Sequence, residues 1–188
     1  MKRFVAFLLQ WFLVSGVMSA DWPQASGPNH NFQVEGEAPK AFRVSKNQNV
    51  LWRVPLPSTG QGTPIVSRGR VFITSHEPLL KDTETGSDIL GLCFDAKTGI
   101  ELWRRKIPGT RTTDLSSLFN DNTAASPVVD GKHVVFTNVG GTIKCFDYEG
   151  KEKWTHIWTP FGRHHARAHE PILYGGNVIL MHAPCYDL

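Results

Sequence analysis

Apolar positions in this chain gather in short β-branched runs broken by glycine turns. Three stretches follow one plan: TPIVSRGRVFIT at residues 63–74, SPVVDGKHVVFT at 126–137 and EPILYGGNVIL at 170–180. In each, a proline opens a short run, a turn with Gly69, Gly131 or Gly176 follows, and a second run returns. Val, Ile, Thr and Phe fit a pleated, half-buried backbone, so each stretch predicts a strand–turn–strand hairpin. The opening proline agrees, because the first residue of a strand is one of the few places where a missing N–H is tolerated. Between these hairpins lie a second kind, residues 89–95 with 100–106 and 142–147 with 151–157, each reversing at an aspartate–glycine turn.

The second kind also repeats in detail. CFDAKTGIELW at residues 93–103 and CFDYEGKEKW at 145–154 share cysteine, phenylalanine, aspartate, a glycine turn and a closing tryptophan. Trp52, in NVLWRVPL, begins the series. The 51-residue intervals from Trp52 to Trp103 and from Trp103 to Trp154 are equal partly by accident, since insertions fall at different places in each unit. Each unit therefore reads as four short strands, the last carrying the tryptophan, which is the signature of a propeller blade. A blade buries its faces only against neighbours, so Trp52, Trp103 and Trp154 are expected between blades. Asp95, Asp147, Gly99 and Gly150 are expected to shape the turns. An antiparallel sandwich with chance similarity is the competing fold, and two motifs recurring in one order argue against it.

The run from Cys93 to Gly99 followed by Trp103 resembles the tryptophan-docking motif of pyrroloquinoline-quinone (PQQ) propeller repeats, and Cys145 to Trp154 match it with one residue fewer. The opening DWPQASGPNHNF, residues 21–32, is similar to the start of exported PQQ-like repeat proteins. The resemblance spans roughly residues 21–183 and implies the fold more than an activity. The family includes quinoprotein alcohol and glucose dehydrogenases, and also a non-catalytic propeller subunit of the bacterial outer-membrane protein assembly machine.

Residues 49–56 would supply one outer strand of a last blade, residues 63–107 one blade, 125–157 a second, and 170–181 the start of a third. The expected fold is thus all-β: an incomplete propeller of about two and a half four-stranded blades over residues 49–188, preceded by an extended segment at 21–48. Closed propellers need at least about four blades. An arc leaves strand edges and a blade face bare, so the chain reads as a portion of a longer product, with self-association into a ring as the less favoured alternative.

Residues 1–20 stand apart. Lys2 and Arg3 precede an apolar stretch of 14 residues, 4–17, interrupted by Gln10 and Ser15, and small residues follow at Ser19 and Ala20. That layout predicts a cleaved signal peptide, the stretch being short of the roughly 20 residues that span a bilayer. Export to the periplasm or cell exterior follows, with no membrane span after cleavage. Removal takes two basic residues from the 20 basic and 17 acidic ones, so the formal charge falls from +3 to +1. A near-neutral chain lacks the basic footprint of a nucleic-acid binder. Of the cysteines Cys93, Cys145 and Cys185, the first two hold equivalent places in successive repeats. They are expected to lie beyond the roughly 7 Å reach of a disulfide and to serve as small buried apolar residues.

Candidate chemistry is sparse. GRHHARAHEP at residues 162–171 brings His164, His165 and His169 beside Glu170, at the entry to the third unit's first strand. Imidazoles and a carboxylate there are candidate ligands for a divalent metal. A solvated loop is the blander alternative, because adjacent histidines on a strand point opposite ways. Asp121 and Asn122 would suit calcium or ordinary loop chemistry. PQQ and calcium are implied by the resemblance only for a full-length parent, and no two cysteines are adjacent, as they are in the cofactor-capping disulfide of several of the family's dehydrogenases. The sequence therefore favours a non-catalytic binding or scaffold module whose protein or surface partners meet its blade loops. The alternative is a piece of an exported PQQ-dependent dehydrogenase.

Overall fold

The computed structural model describes residues 21–33, 36, 39–78, 88–110, 122–159 and 170–181. These form two four-stranded antiparallel sheets and one hairpin. The first sheet runs β1 (Ile65–Ser67), β2 (Arg70–His76), β3 (Ile89–Asp95), β4 (Glu101–Ile107), hydrogen-bonded in that order. The second repeats it with β5 (Val128–Val129), β6 (His133–Asn138), β7 (Thr142–Asp147) and β8 (Glu152–Ile157). The hairpin pairs β9 (Ile172–Tyr174) with β10 (Asn177–Ile179). Pro64, Pro127 and Pro171 each stand just before a first strand. In the β1–β2 and β9–β10 turns both central residues have positive φ, Arg68 and Gly69 in one, Gly175 and Gly176 in the other. That is the turn geometry whose twist suits tight hairpins.

Both sheets carry the same irregularity. Register shifts between Cys93 and Phe94 opposite β4, and between Cys145 and Phe146 opposite β8. Cys93 pairs with Trp103 and Phe94 with Glu101, so one residue, Leu102, is bulged out just before the tryptophan. A bulge bends its strand and re-aims the next side chain, and it recurs where each tryptophan leaves its sheet.

Alternation along the strands sorts side chains between two interfaces. Ile89 and Cys93 of β3 join Ile65, Phe72, Trp103 and Ile107 against Val129, Val134, Phe136, Phe146 and the turn residue Tyr148 of the second blade. Five of these are aromatic, meeting tilted or edge-on with centroids 5.2–6.5 Å apart, the arrangement that ring quadrupoles favour. Gly91 faces Phe136 so closely that a Cβ would lie 3.0 Å from the ring. On the other face of β3, Leu90, Leu92 and Phe94 pack with Val71 and Ile73 under Val54 and Leu56. Val128, Val135, Ile143 and Cys145 pack with Trp158, Leu173, Val178 and Leu180 on the far face of the second sheet. The sheets are blades stacked face to face, and the described residues form an incomplete β-propeller.

Two expectations need correction. Residues 49–56 form no strand, because no neighbouring strand among the described residues offers them a ladder. They are nonetheless extended enough that exposure alternates from Leu51 to Leu56, with Trp52, Val54 and Leu56 turned toward the first blade. Trp154 is not buried: it is 42% exposed, whereas Trp103 is 8% exposed.

The segment from Asp21 returns to the blades' first strands. The Trp22 N–H donates to Val66 O (2.7 Å) and Val66 N–H to Trp22 O (3.0 Å), and Val129 N–H donates to Pro23 O (2.9 Å). It thus borders the free edges of both β1 and β5.

Candidate functional site

The repeat builds one device twice. Asp95 Oδ1 accepts from the backbone N–H groups of Lys97 and Thr98 and from the Thr98 hydroxyl at 2.8–3.0 Å. Gly99 then closes the turn with φ 72°. Asp147 accepts from Lys151 N–H (2.8 Å), and Gly150 closes that turn with φ 79°. The Thr98 hydrogen bonds hold the Asp95 carboxyl below its ordinary range, and the Lys153 ammonium with Lys151 N–H does the same for Asp147.

Each turn receives a tryptophan from the preceding unit. The Trp52 indole N–H donates to Ala96 O (2.9 Å), and that of Trp103 to Tyr148 O (2.8 Å). The acceptor is in both cases the residue after the aspartate. The rings lie flat on the glycines: a Cβ on Gly99 would stand 2.7 Å from Trp52, and one on Gly150 2.8 Å from Trp103. Arg105 completes the second contact, donating to Gly150 O (2.7 Å) with its guanidinium 5.7 Å from the Trp103 ring. Trp154 meets no such turn among the described residues, and His156, in the place of Arg105, stacks on Trp158 at 6.3 Å.

Beside Trp154 a groove of about 500 Å³ opens between the second blade and the β9–β10 hairpin. Its apolar wall includes Val135, Cys145, Trp154 and Val178, and its polar rim is Asp130 with His133. Their side chains meet at 3.0 Å. Burial works against charge on Asp130, but hydrogen bonds from His133 and from Lys132 N–H outweigh it and keep the carboxyl below its ordinary range. The arrangement suits contact with an apolar surface bearing a polar edge. Sequence reasoning passed over this pair, although the DGKH turn that carries it lies inside the repeat.

The first strands are joined at their entries by a relay. Thr63 N–H donates to Ser126 Oγ (2.8 Å), the Ser126 hydroxyl donates to Glu170 Oε1 (2.9 Å), and Ser126 N–H donates to Glu170 Oε2 (2.8 Å). Of the proposed metal ligands, His164, His165 and His169 lie outside the described residues. Glu170 has both carboxylate oxygens engaged by Ser126, so a cation there would compete with these bonds. Among the described residues no three His, Cys, Asp or Glu side chains are grouped to hold a metal. Asp121 also lies outside them; Asn122 is buried, its carbonyl accepting from Val139 N–H (3.1 Å). Cys93 and Cys145 are buried free thiols, and Cys185 falls outside the described residues. No described helix is long and apolar enough to cross a membrane.

Comparison with known proteins bears on the fold. The family model described as outer membrane protein assembly factor BamB matches residues 19–116 and 49–184. The crystal structure of BamB from Moraxella catarrhalis is similar at 15% identity and a TM-score of 0.49, over 73% of this chain and 39% of that one. The chain thus spans well under half the length of that relative. No curated protein sequence is significantly similar to it. With its tryptophan-docked turns in two stacked blades, and with one family model matching nearly its whole length, the chain belongs to the PQQ-repeat β-propeller family described as outer membrane protein assembly factor BamB.

Proposed function

We propose that this chain is an exported, non-catalytic propeller module that binds or scaffolds a protein or surface partner, and that it is an arc of a longer ring. The carrying observation is the pair of stacked blades locked by tryptophan-docked turns, with the Asp and Gly of each docked turn spent on that stacking rather than on a reactive site. A rigid stack of this kind presents its strand-connecting loops for recognition, and loops on a rigid scaffold are where binding surfaces usually lie. The family membership is consistent with protein interaction, and fold alone assigns no chemistry. Residues 1–20 would direct the chain to the periplasm or exterior, and a parent holding PQQ and calcium is the rival reading.

The test has two arms. Expression with residues 1–20 in a bacterial host, followed by N-terminal sequencing of the exported product, should place the first residue at Ala20 or Asp21. The purified product, supplied with PQQ, calcium and an alcohol or glucose, should reduce no artificial electron acceptor, while cross-linking in the periplasm should capture partners through the loop lysines Lys132 and Lys151. Quinone-dependent reduction would replace this reading with the dehydrogenase.

A further inference from the structure

The segment DWPQASGPNHNF is absorbed by neither the blades nor the docking turns, yet it is held by a built site. Five hydrogen bonds fasten it. Three are to backbone on first-strand edges: Trp22 N–H to Val66 O, Val66 N–H to Trp22 O, and Val129 N–H to Pro23 O, at 2.7–3.0 Å. Two hold the Asp21 carboxylate, from the Ser67 hydroxyl (2.8 Å) and from Arg68 N–H (3.0 Å). Ser67 is 2% exposed and receives the Tyr148 hydroxyl at 3.0 Å, so the carboxylate cradle is built from both blades.

The segment's own residues fit that site as a ligand would. Trp22 packs against the inter-blade aromatic core. Gly27, at φ +80°, brings the chain back over the indole so closely that a Cβ would lie 2.9 Å from it. Buried Gln24 ties the loop by donating to Gly27 O (3.2 Å) and lies 3.0 Å from His30 Nδ1. Proline at position 23 has no N–H, and the site uses only its carbonyl. Free strand edges are templates for an added strand, and recognition by strand addition takes affinity from main-chain bonds and specificity from side-chain pockets.

We infer that the free edges of β1 and β5, with the Ser67–Arg68 cradle, form a binding site for an extended peptide of the type acid–tryptophan–proline, and that residues 21–32 occupy it in cis as a displaceable strap. This goes beyond the scaffold function proposed above and holds whether or not the chain is catalytic. A tethered strap acts at high effective concentration, so a peptide offered in trans competes poorly until the strap is loosened.

The probe is a fluorescein-labelled peptide of residues 21–32, titrated by fluorescence anisotropy into the full chain and into the full chain carrying Asp21→Ala and Trp22→Ala. The double variant should bind the peptide at least about tenfold more tightly than the unaltered chain. Peptides carrying Asp21→Asn or Trp22→Ala should each lose most of that binding. Equal affinity for both chains, no saturable binding to the double variant, or equal binding of the altered peptides would each overturn the inference. Should the double variant melt below the assay temperature, Asp21→Asn in the full chain replaces it. That change keeps the side chain's shape while weakening the cradle, and the same outcomes decide.

Discussion

Replacing Trp103 by alanine removes a side chain that joins the two blades both through packing and through a hydrogen bond. The indole is 8% exposed and lies 6.0–6.1 Å, centroid to centroid, from Phe72, Phe136 and Phe146. Truncating such a buried aromatic costs about 3–5 kcal/mol. Part of that is the cavity, and part is Tyr148 O, which loses its donor. Trp103→Phe separates the two: the ring stays, the N–H goes, and leaving the acceptor unpaired should cost about 1–3 kcal/mol. Trp154→Ala is the matched control, because that ring occupies the same place in the next unit but is 42% exposed. Without a turn docked on it, its loss should cost about 1 kcal/mol or less. Urea unfolding followed by far-UV circular dichroism reads all three without relying on tryptophan emission. With slopes of about 1–3 kcal/mol/M, Trp103→Ala should lower the midpoint by at least about 1 M relative to Trp154→Ala. Equal midpoints for the two alanine variants would show that docking on the Tyr148–Gly150 turn is not what makes Trp103 matter.

Three further outcomes are expected. Gly150→Ala and Gly131→Ala both force a side chain to positive φ, near +79° and +84°, but only the first meets an indole. Gly131→Ala should therefore cost about 1–2 kcal/mol and Gly150→Ala clearly more, with equal costs in urea unfolding contradicting the contact. Burial pushes the Cys93 thiol up to about 12 and that of Cys145 up to about 11. The unfolded chain releases those protons from about pH 9 while the folded chain holds them. Stability should therefore fall as pH rises above about 9, and Cys93→Ala with Cys145→Ala should flatten that slope; a midpoint that climbs between pH 9 and 11 would contradict it. Glu170→Ala leaves the Ser126 N–H without its acceptor, so hydrogen exchange at Ser126 should quicken while that at Val134 in β6 stays slow.

What the sequence disclosed follows from where its information is local. Hairpins, turn glycines and the Asp–Gly motif are written within a few residues, and the β-branched runs at 65–67, 71–74 and 134–137 could hardly do anything else. The tryptophan that closes each repeat pointed to a shared interface but not to its completeness. Trp154 carries the same motif as Trp103, and its burial depends on a turn from another unit that no residue near it encodes. Residues 49–56 show the same limit, since alternation sets which side chains face a blade while a ladder needs a neighbouring strand. Tyr148 is a turn residue by position, yet its ring fills the core and its hydroxyl reaches Ser67, 81 residues away. The Asp21 cradle was equally hidden, because a carboxylate 46 residues from its serine leaves no local pattern.

Function in such a chain is best sought where the units differ, because what they share is consumed by stacking. Each blade meets only its neighbours, and the common residues, cysteine, aspartate, glycine and tryptophan, are spent on that contact. Two equivalent positions break the pattern. At the entry to the first strands stand Thr63, Ser126 and Glu170, and the latter two each reach back to a backbone N–H of the preceding unit. Of the three, Glu170 alone brings a charge. Two residues after the tryptophans stand Val54, Arg105 and His156. Arg105 is occupied by Gly150 O, whereas His156 lies exposed over Trp158 in the concavity beside Trp154. Both departures, Glu170 and His156, fall on the side of the second blade that faces the third unit, where Trp154 is half bare. Shared chemistry builds the stack, and the side chains that depart from it are the ones that distinguish the surface of one unit from that of the next.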